Sequence, residues 1–418
     1  MKRQYTPVEW LCIDIANQYG LDKKTFEVRI QWVKDNFERL TVLASPKKER
    51  PLYVKAVMGL LRACKGQAIG HLVGLDATCS GMSIMSVLTK CYLGCLATNL
   101  IDPDTRNDAY TMVTDRASQY LGGGLAIDRG DAKDATMTAL YGSVKTPRDI
   151  FGEDTPELEA FYKGLTDIAP GAVELLGDLR AAWQPFALEH KWVMPDNFHA
   201  RIKVMQKVEG ARVEVDELGH STFSMDYYVN EGTKKDLKLV ANVTHSFDAY
   251  LLRCVQRRCT YDVDMLAKAI KVMEFELARR NERGGLEAEL EEITETMHVY
   301  LERYYHTRVA DVVIFPHMTT ANICYMETPH LVRLYEIALE MWNAGAFDVI
   351  TVHDEFKCHP NHCNAMSAHY VSILADLARG RALEDVFKQI TGVEPHYDNA
   401  MNGDELANMI LESTYAIS

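Results

Sequence analysis

Three side chains suited to binding a nucleotide lie close together in the chain. Arg129, Lys133 and Tyr141 occur in the run from Arg129 to Ser143. If this segment is helical, spacings of four and eight residues place all three near one face. Two cations can hold phosphate oxygens, and an aromatic ring with a hydroxyl can lie beside a sugar and base. The segment therefore predicts a nucleoside triphosphate site on a helix that Gly142 ends or bends.

Two aspartates each follow a short hydrophobic run. Asp76 ends the run 71–76, and Asp354 comes after the β-branched run 348–352. If the two runs are neighbouring strands, the carboxylates meet at one sheet edge, where they repel unless a divalent cation lies between them. Hard oxygen ligands beside a triphosphate suit magnesium, and two such ions can activate a hydroxyl and stabilise leaving pyrophosphate. The alternative interpretation is that each aspartate only caps the next element.

The bulk composition is that of a large globular protein. The chain has 418 residues, 47% of them hydrophobic, which is enough for one large domain or two to three subdomains. The first twenty residues do not resemble a signal peptide, and no uncharged apolar run is long enough to span a membrane. We therefore predict no membrane partner. The ten scattered cysteines are most simply reduced core thiols.

The charge is unevenly distributed. The net charge of −14 argues against nucleic-acid binding. Residues 1–66, however, carry thirteen Lys or Arg against seven Asp or Glu, a local net charge of +6. The overall sign therefore does not decide what the chain binds.

One short run contains four possible metal ligands. Cys358, His359, His362 and Cys363 lie within six residues, but no second group with matching ligand spacing occurs elsewhere. A structural zinc is the less favoured interpretation, and the sequence leaves metal binding at these residues open.

Hydrophobic periodicity predicts a mostly helical chain with a few short strands. Gly, Pro and Asn clusters separate the segments. We predict helices over 7–43, 52–65, 245–259 and 262–308, the last interrupted at Gly284 and Gly285, and strands over 71–76, 211–215, 348–352 and 355–357.

Three short segments of the sequence resemble motifs of the single-subunit phage and mitochondrial DNA-directed RNA polymerases. Residues 76–81 resemble the first palm motif of that family, 129–143 resemble its fingers helix, and 353–356 resemble its last palm motif. Weaker similarity covers 192–198, with Asn197 where the family has glycine, as well as 245–251, with Ala249 for glycine, and the end of the chain at 410–418. The resemblance spans almost the whole chain.

The resemblance implies a role for each matching residue. Asp76, the backbone of Ala77 and Asp354 would hold two Mg²⁺ ions. Arg129 and Lys133 would bind the triphosphate, and Lys133 could protonate the leaving pyrophosphate.

Tyr141 would help to select ribose over deoxyribose. His245 would contact the primer–template minor groove or the nucleotide, and His353 would support the primer end. For both histidines the alternative is a ring satisfied by a backbone carbonyl.

The implied fold is an α/β right-hand polymerase fold, with a small antiparallel palm sheet and mostly helical fingers. Residues 1–100 would form the first palm part and 341–418 the second. Residues 101–340 would form the fingers, with an inserted helical segment at about 256–335. The function of this insertion as a lid, a partner-binding arm or a DNA guide is left open.

The short segment before Asp76 is the main departure from the family. Only 75 residues precede it here, whereas family members have hundreds. The resemblance therefore implies the larger, catalytic chain of a two-polypeptide phage RNA polymerase in the cytoplasm of an infected bacterium. Its partners would be DNA template, nascent RNA, nucleoside triphosphates and a smaller subunit supplying N-terminal and thumb elements. An apolar docking face is then expected near residues 1–65.

Two other functions compete with RNA synthesis. An A-family DNA polymerase uses a similar palm, but it has a glutamate shortly after the first aspartate and an aromatic residue where Met137 stands. Residues 77–84 contain no acid. A catalytically inactive module that binds single strands would be expected to have lost at least one catalytic residue, and all are present.

Overall fold

The computed structural model describes residues 3–43, 50–122, 124, 126–232, 238–283, 293–398 and 400–418. Its helices are α1 Pro7–Ala16, α2 Phe26–Asp35, α3 Arg50–Cys64, α4 Ser80–Leu88, α5 Tyr92–Ala97, α6 Ala109–Leu121, α7 Arg129–Leu140, α8 Lys145–Phe151, α9 Pro156–Ile168, α10 Pro170–Ala181, α11 Lys238–Cys259, α12 Val263–Arg283, α13 Glu295–Thr307, α14 Thr328–Ala344, α15 Cys363–Arg379, α16 Ala382–Thr391 and α17 Gly403–Leu411. Its strands are β1 Val73–Asp76, β2 Glu189–Val193, β3 His199–Lys203, β4 Met205–Val215, β5 Ser221–Gly232, β6 Ile350–Val352 and β7 Glu355–Cys358.

A three-stranded antiparallel sheet lies at the centre of the fold. The strand order is β1-β7-β6, so the final hairpin pairs with the strand that ends at Asp76. Asp76 is paired with Glu355, and Asp354 lies in the tight turn between β6 and β7. The amide of Ala77 donates a hydrogen bond to the carbonyl of Asp354 at 3.2 Å. The register therefore brings both aspartates to the same end of the sheet.

The segment over residues 7–43, predicted to be helical, is mostly helical but not continuous. It is divided into α1, which begins with a capping box between Thr6 and Glu9, and α2, which begins after Thr25. The backbone at Gly20 has a φ of 113°, which a right-handed helix cannot accommodate. The predicted strand over 348–352 is also shorter, since it begins at Ile350. The predicted interruption at Gly284 and Gly285 lies outside the described residues.

Two separate hydrophobic cores organise the described residues. The larger one surrounds the sheet and includes the buried faces of α1, α4, α11 and α15. The smaller one lies between Leu266 and Met341 and is built mainly from α12, α13 and α14. It coincides with most of the segment that the sequence predicts to be an insertion. No helix among the described residues is both long and apolar enough to cross a bilayer.

Buried ion pairs connect the smaller core to the larger one. Asp376 of α15 accepts hydrogen bonds from Arg258 of α11 at 3.0 Å and from Arg333 of α14 at 2.7 Å. Ser372, one turn earlier, accepts from the same two guanidinium groups. A buried carboxylate with two cationic partners is fully compensated, which makes this a defined joint.

Two antiparallel hairpins follow α10. The β2–β3 hairpin contains Trp192, and its turn includes Asn197 with a φ of 61°. Asparagine tolerates this left-handed conformation better than most residues, which explains how it can stand where the family has glycine. The β4–β5 hairpin contains the predicted strand at 211–215 within its first strand.

Candidate active site

Helix α7 is fixed at both ends by local interactions. The side chain of Asp128 accepts hydrogen bonds from the amides of Gly130 and Asp131 and so caps the N-terminus. The last helical residue is Leu140, and Gly142 follows with a φ of 96°. The prediction that Gly142 ends this helix is confirmed.

A cavity of about 600 Å³ lies between α7, α11 and the open end of the three-stranded sheet. Seven of the eight residues that the sequence assigns to the site line it: Asp76, Ala77, Lys133, Tyr141, His245, His353 and Asp354. Arg129 is the exception, because it does not line the cavity. The tertiary structure thus brings together residues separated by up to 278 positions.

Asp76 lies in an environment that disfavours its charge. The carboxylate is reached by solvent from the cavity, yet protein surrounds it on the other sides. This burial, together with the nearby charges of Asp354 and Glu355, raises the pKa of Asp76 to about 7. A carboxyl group in this position gains most from a cation placed between it and its neighbours.

Tyr141 contacts two segments of the site. Its ring lies 4.7 Å from the ring of His245, and its hydroxyl is hydrogen-bonded to Ser80. Burial raises the pKa of Tyr141 to about 12, so the hydroxyl stays protonated. A β-carbon at Gly81 would lie 3.2 Å from the tyrosine ring, so the small residue of the Ser-Gly turn permits this close approach.

The two histidines lie near each other on different elements. His245 is on α11, and His353 occupies the turn before Asp354 with a φ of 56°. Burial and the nearby His353 lower the pKa of His245, which favours the neutral ring. The ring of His245 lies against that of Tyr141, and the roles of both histidines stay predictions.

Both cations of α7 lie 5.9 Å from the centre of the Tyr110 ring, but among the described residues only Arg129 also forms an ion pair. The ammonium of Lys133 faces the ring of Tyr110 at 5.9 Å from its centre and lines the cavity. Arg129, one turn earlier, donates to the carboxylate of Asp108 at 2.5 Å and 2.8 Å. Arg129 therefore lies beside the cavity, bonded to a carboxylate of its wall, and its role in binding phosphate stays a prediction.

The cavity also contains functional candidates that were not assigned from the sequence. Asp248, one turn after His245 on α11, has its pKa raised to about 6 by burial and by the charge of Asp354. The other candidates are charged residues from remote segments: Asp22, Lys23, Arg106, Asp108 and Glu355. Asp248 could have been found from its helical spacing with His245, whereas the others carry no local signal.

The donor set of the cavity fits a divalent cation of the magnesium type. Carboxylates outnumber cations among the lining residues: Asp22, Asp76, Asp108, Asp248, Asp354 and Glu355 against Lys23, Arg106 and Lys133. Magnesium binds through one or two carboxylates and completes its shell with water and phosphate oxygens. Asp76 and Asp354, with the backbone of Ala77 beside them, are suited to this coordination.

Two other groups of metal-ligand types are less suitable. Within the described residues, the group of three whose ligand atoms lie within 4.8 Å of one another is Glu214, Asp216 and His220, which is fully exposed at the end of the β4–β5 hairpin. Cys358 and Cys363 have their sulfur atoms 3.7 Å apart. The neighbouring histidines do not converge on them, because His359 accepts from an amide and His362 stacks on Phe347.

The chain is similar to known DNA-directed RNA polymerases. Residues 4–146 match the family model described as DNA-dependent RNA polymerase. The DNA-directed RNA polymerase of Pseudomonas phage phiKMV is 31% identical over 129 residues, covering 27% of this chain and 16% of the phage protein. That of Enterobacteria phage K11 is 23% identical over 353 residues, covering 62% of this chain and 39% of the phage protein.

These similarities confirm the resemblance to phage-type RNA polymerases and support the predicted enzyme class. The matches cover less than half the length of either relative, at 16% and 39%. The helix-rich architecture with small antiparallel sheets agrees with the predicted α/β class. The domain boundaries, the residue roles and the division into two polypeptides stay predictions.

Proposed function

We propose, from this similarity to phage RNA polymerases, that the chain catalyses DNA-templated RNA synthesis. One observation carries the proposal: Asp76 and Asp354 line the same cavity as Lys133 and Tyr141. Two carboxylates, a phosphate-binding cation and a hydroxylated ring are the groups that nucleotidyl transfer needs in one place.

The reaction joins a nucleotide to the 3′ end of the RNA. The 3′ hydroxyl gives its proton to water as its oxygen forms a bond to the α-phosphorus, and the bond to the pyrophosphate oxygen breaks. Lys133 binds the departing phosphates and donates a proton to them, and Tyr141 orients the sugar. His353, beside Asp354, supports the RNA end.

Asp76 and Asp354 would hold magnesium, with the backbone of Ala77 beside them. When bound, magnesium supplies neutralisation of phosphate charge and activation of the attacking hydroxyl. The excess of carboxylates around the cavity and the raised pKa of Asp76 support a cation site here.

Replacing Asp354 with Asn tests this function. Asp354→Asn removes a metal ligand but no DNA contact, so template-dependent RNA synthesis with magnesium should be lost while template binding is retained. The matched control is Asp348→Asn, which changes an exposed aspartate just before the same hairpin and should keep full activity. An active Asp354→Asn protein, or a wild-type protein that prefers deoxyribonucleotides, would contradict the proposal.

We further propose that the protein has a right-hand shape. Strands β1, β7 and β6 would form the palm floor, and α6 to α11 would contribute to the fingers. The antiparallel sheet that carries Asp76 and Asp354 at one end supports this arrangement.

We propose that a second polypeptide docks on α3. A groove of about 630 Å³ runs along this helix, with Pro51, Val54 and Met58 exposed to it. Among the described residues, three cations and no carboxylate line it, namely Arg50, Lys55 and Arg62. These features fit a partner segment with apolar side chains flanked by acidic residues.

Paired substitutions test this docking site. Val54→Asp with Met58→Asp places charge in the groove, so a partner that co-purifies from the native source should be lost, together with the RNA synthesis that depends on it. Val42→Asp is the control, because Val42 is exposed but does not line the groove. Retention of the same partner by the double variant would refute the site.

A further inference from the structure

Arg129 is held by a carboxylate that belongs to the cavity wall. Its Nε and Nη2 atoms both donate to Oδ2 of Asp108, at 2.8 Å and 2.5 Å, and Nε also lies 3.1 Å from Oγ1 of Thr111. Thr111 in turn donates to the same oxygen of Asp108 at 2.9 Å. Asp108 lines the cavity, whereas Arg129 does not. The ion pair therefore occupies the guanidinium donors of Arg129 at the edge of the cavity, where Arg129 and Lys133 each lie 5.9 Å from the centre of the Tyr110 ring.

The charge of Asp108 depends on this contact. Burial alone would raise the pKa of Asp108, but the hydrogen bonds from Arg129 and Thr111 outweigh it and keep the pKa below its usual value. Asp108 immediately precedes α6, and Arg129 is the first residue of α7. The pair thus connects the beginnings of two helices across the edge of the cavity.

A phosphate can replace Asp108 as the partner of Arg129. The side chain of Arg129 is 42% exposed, so water screens the ion pair and limits its strength. A triphosphate carries several charges and offers a guanidinium two parallel hydrogen bonds. It can therefore compete successfully with a single carboxylate oxygen.

We propose that Asp108 is a positioning residue that holds Arg129 off the nucleotide site until a triphosphate displaces it. This rests on the proposed function, because it assumes that the cavity binds nucleoside triphosphates. Arg129 exchanges the carboxylate of Asp108 for phosphate oxygens and then lies on the same side of the nucleotide as Lys133, one turn along α7. Nucleotide affinity is thereby lowered by the free energy of the broken ion pair.

Asp108→Asn tests the proposal on the full chain. The neutral side chain keeps its size but releases Arg129, so the dissociation constant for ATP in magnesium buffer, measured by calorimetry, should fall about two- to fivefold, the range expected of a screened ion pair. The KM for nucleotides in RNA synthesis should fall by the same factor, and kcat should change less than KM does. Asp131→Asn is the matched control, because it removes an exposed carboxylate from α7, the helix that carries Arg129, and should change neither constant.

A double variant separates the proposal from simple charge repulsion. Arg129→Gln should weaken ATP binding, and adding Asp108→Asn to it should have no further effect, because the residue being held is gone. If Asp108→Asn lowers the dissociation constant equally in both backgrounds, or in neither, the proposal is overturned.

Two further results keep the outcomes distinct. If Asp108→Asn lowers the melting temperature, Thr111→Val is used instead, because it removes one hydrogen-bond acceptor of Arg129. This variant should also lower the KM for nucleotides, by a smaller factor. An unchanged KM would count against the proposal. A wild-type protein that gives no templated RNA synthesis even together with its co-purifying partner would refute the proposed function itself. Normal synthesis with an unchanged nucleotide affinity in Asp108→Asn would refute only the role of Asp108.

Discussion

The chemistry of the cavity depends on a few side chains whose charges do not cancel. Asp76 and Asp248 both have a raised pKa, Asp76 to about 7 and Asp248 to about 6, and burial is the largest cause in each. Asp354 is a second cause for both residues, so the three carboxylates influence one another. A fixed negative field of this kind favours the binding of cations and opposes the approach of an uncompensated triphosphate.

Tyr141→Phe tests sugar selection at the scale of one hydroxyl. The ring would stay against His245, so the rate with ribonucleotides should be preserved, whereas the preference for ribose over deoxyribose should fall about fivefold, as expected for the loss of one hydrogen bond. The measurement is the ratio of kcat/KM for matched ribo- and deoxyribonucleotides. Tyr92→Phe, at an exposed tyrosine on α5, is the control, and unchanged selection in Tyr141→Phe would refute the assigned role.

Close helix packing fixes the elements that carry these residues. Helices α6 and α9 approach each other so closely at Gly164 that a β-carbon there would lie 2.9 Å from the backbone nitrogen of Ala117. The first residue of α6 follows Asp108, and therefore this packing also sets the position of the wall that contacts Arg129. Glycine is required here because backbone, unlike a long side chain, cannot move aside.

Gly164→Ala should destabilise the fold by separating α6 from α9. We expect a loss of about 1–3 kcal/mol in the free energy of unfolding, measured with urea, as is typical of overpacked sites. Gly177→Ala is the matched control on α10, where no atom lies within 4 Å of the added carbon, and it should stabilise the protein by about 0.5–1 kcal/mol. Equal effects of the two substitutions would show that helix propensity rather than packing governs both.

At the scale of the whole molecule, buried histidines make stability depend on pH. His369 is buried on α15 without a hydrogen-bond partner for either ring nitrogen, and burial lowers its pKa to about 3, with a smaller contribution from Arg258. His330 on α14 has its pKa lowered to about 3 for the same main reason. At a pH between about 3 and 6.5, each of these histidines binds a proton in the unfolded chain but not in the folded chain. Stability is therefore complete above about pH 6.5 and is lost as the pH falls.

His369→Leu should reduce this sensitivity to acid. Each buried histidine accounts for about 2 kcal/mol of lost stability between pH 7.5 and pH 5. In urea unfolding at these two pH values, the variant should lose about that much less than the wild type. His396→Leu replaces a histidine whose side chain is 86% exposed and should behave as the wild type does. The idea would fail if all three proteins lost the same amount.

Binding of DNA by a chain with a net charge of −14 must depend on local positive charge. The logarithm of the association constant should fall linearly with the logarithm of salt concentration, with a slope of about −0.9 per phosphate contact on duplex DNA and about −0.7 on single strands. Fluorescence anisotropy with labelled oligonucleotides measures both slopes. Asp354→Asn should give the same slopes as the wild type, and affinity that does not change with salt would contradict a nucleic-acid role.

The sequence by itself determined the residues that could do chemistry and the elements that carry them. The spacing of Arg129, Lys133 and Tyr141 predicted one helix with a glycine stop, and α7 has both features. Short hydrophobic runs predicted the strands before Asp76 and Asp354. These predictions succeed because helical and strand periodicity, capping and glycine geometry are local properties of the backbone.

Only the tertiary structure decided which of these residues share a cavity. The pairing of β1 with β7 brought Asp76 and Asp354 together, and the packing of α6 beside α7 gave Arg129 a carboxylate partner that local spacing could not indicate. The backbone at Gly20 leaves the helical conformation with a φ of 113°, which periodicity over residues 7–43 did not indicate. Contacts between residues hundreds of positions apart depend on strand register and helix packing, and neither of these produces a periodic pattern in the sequence.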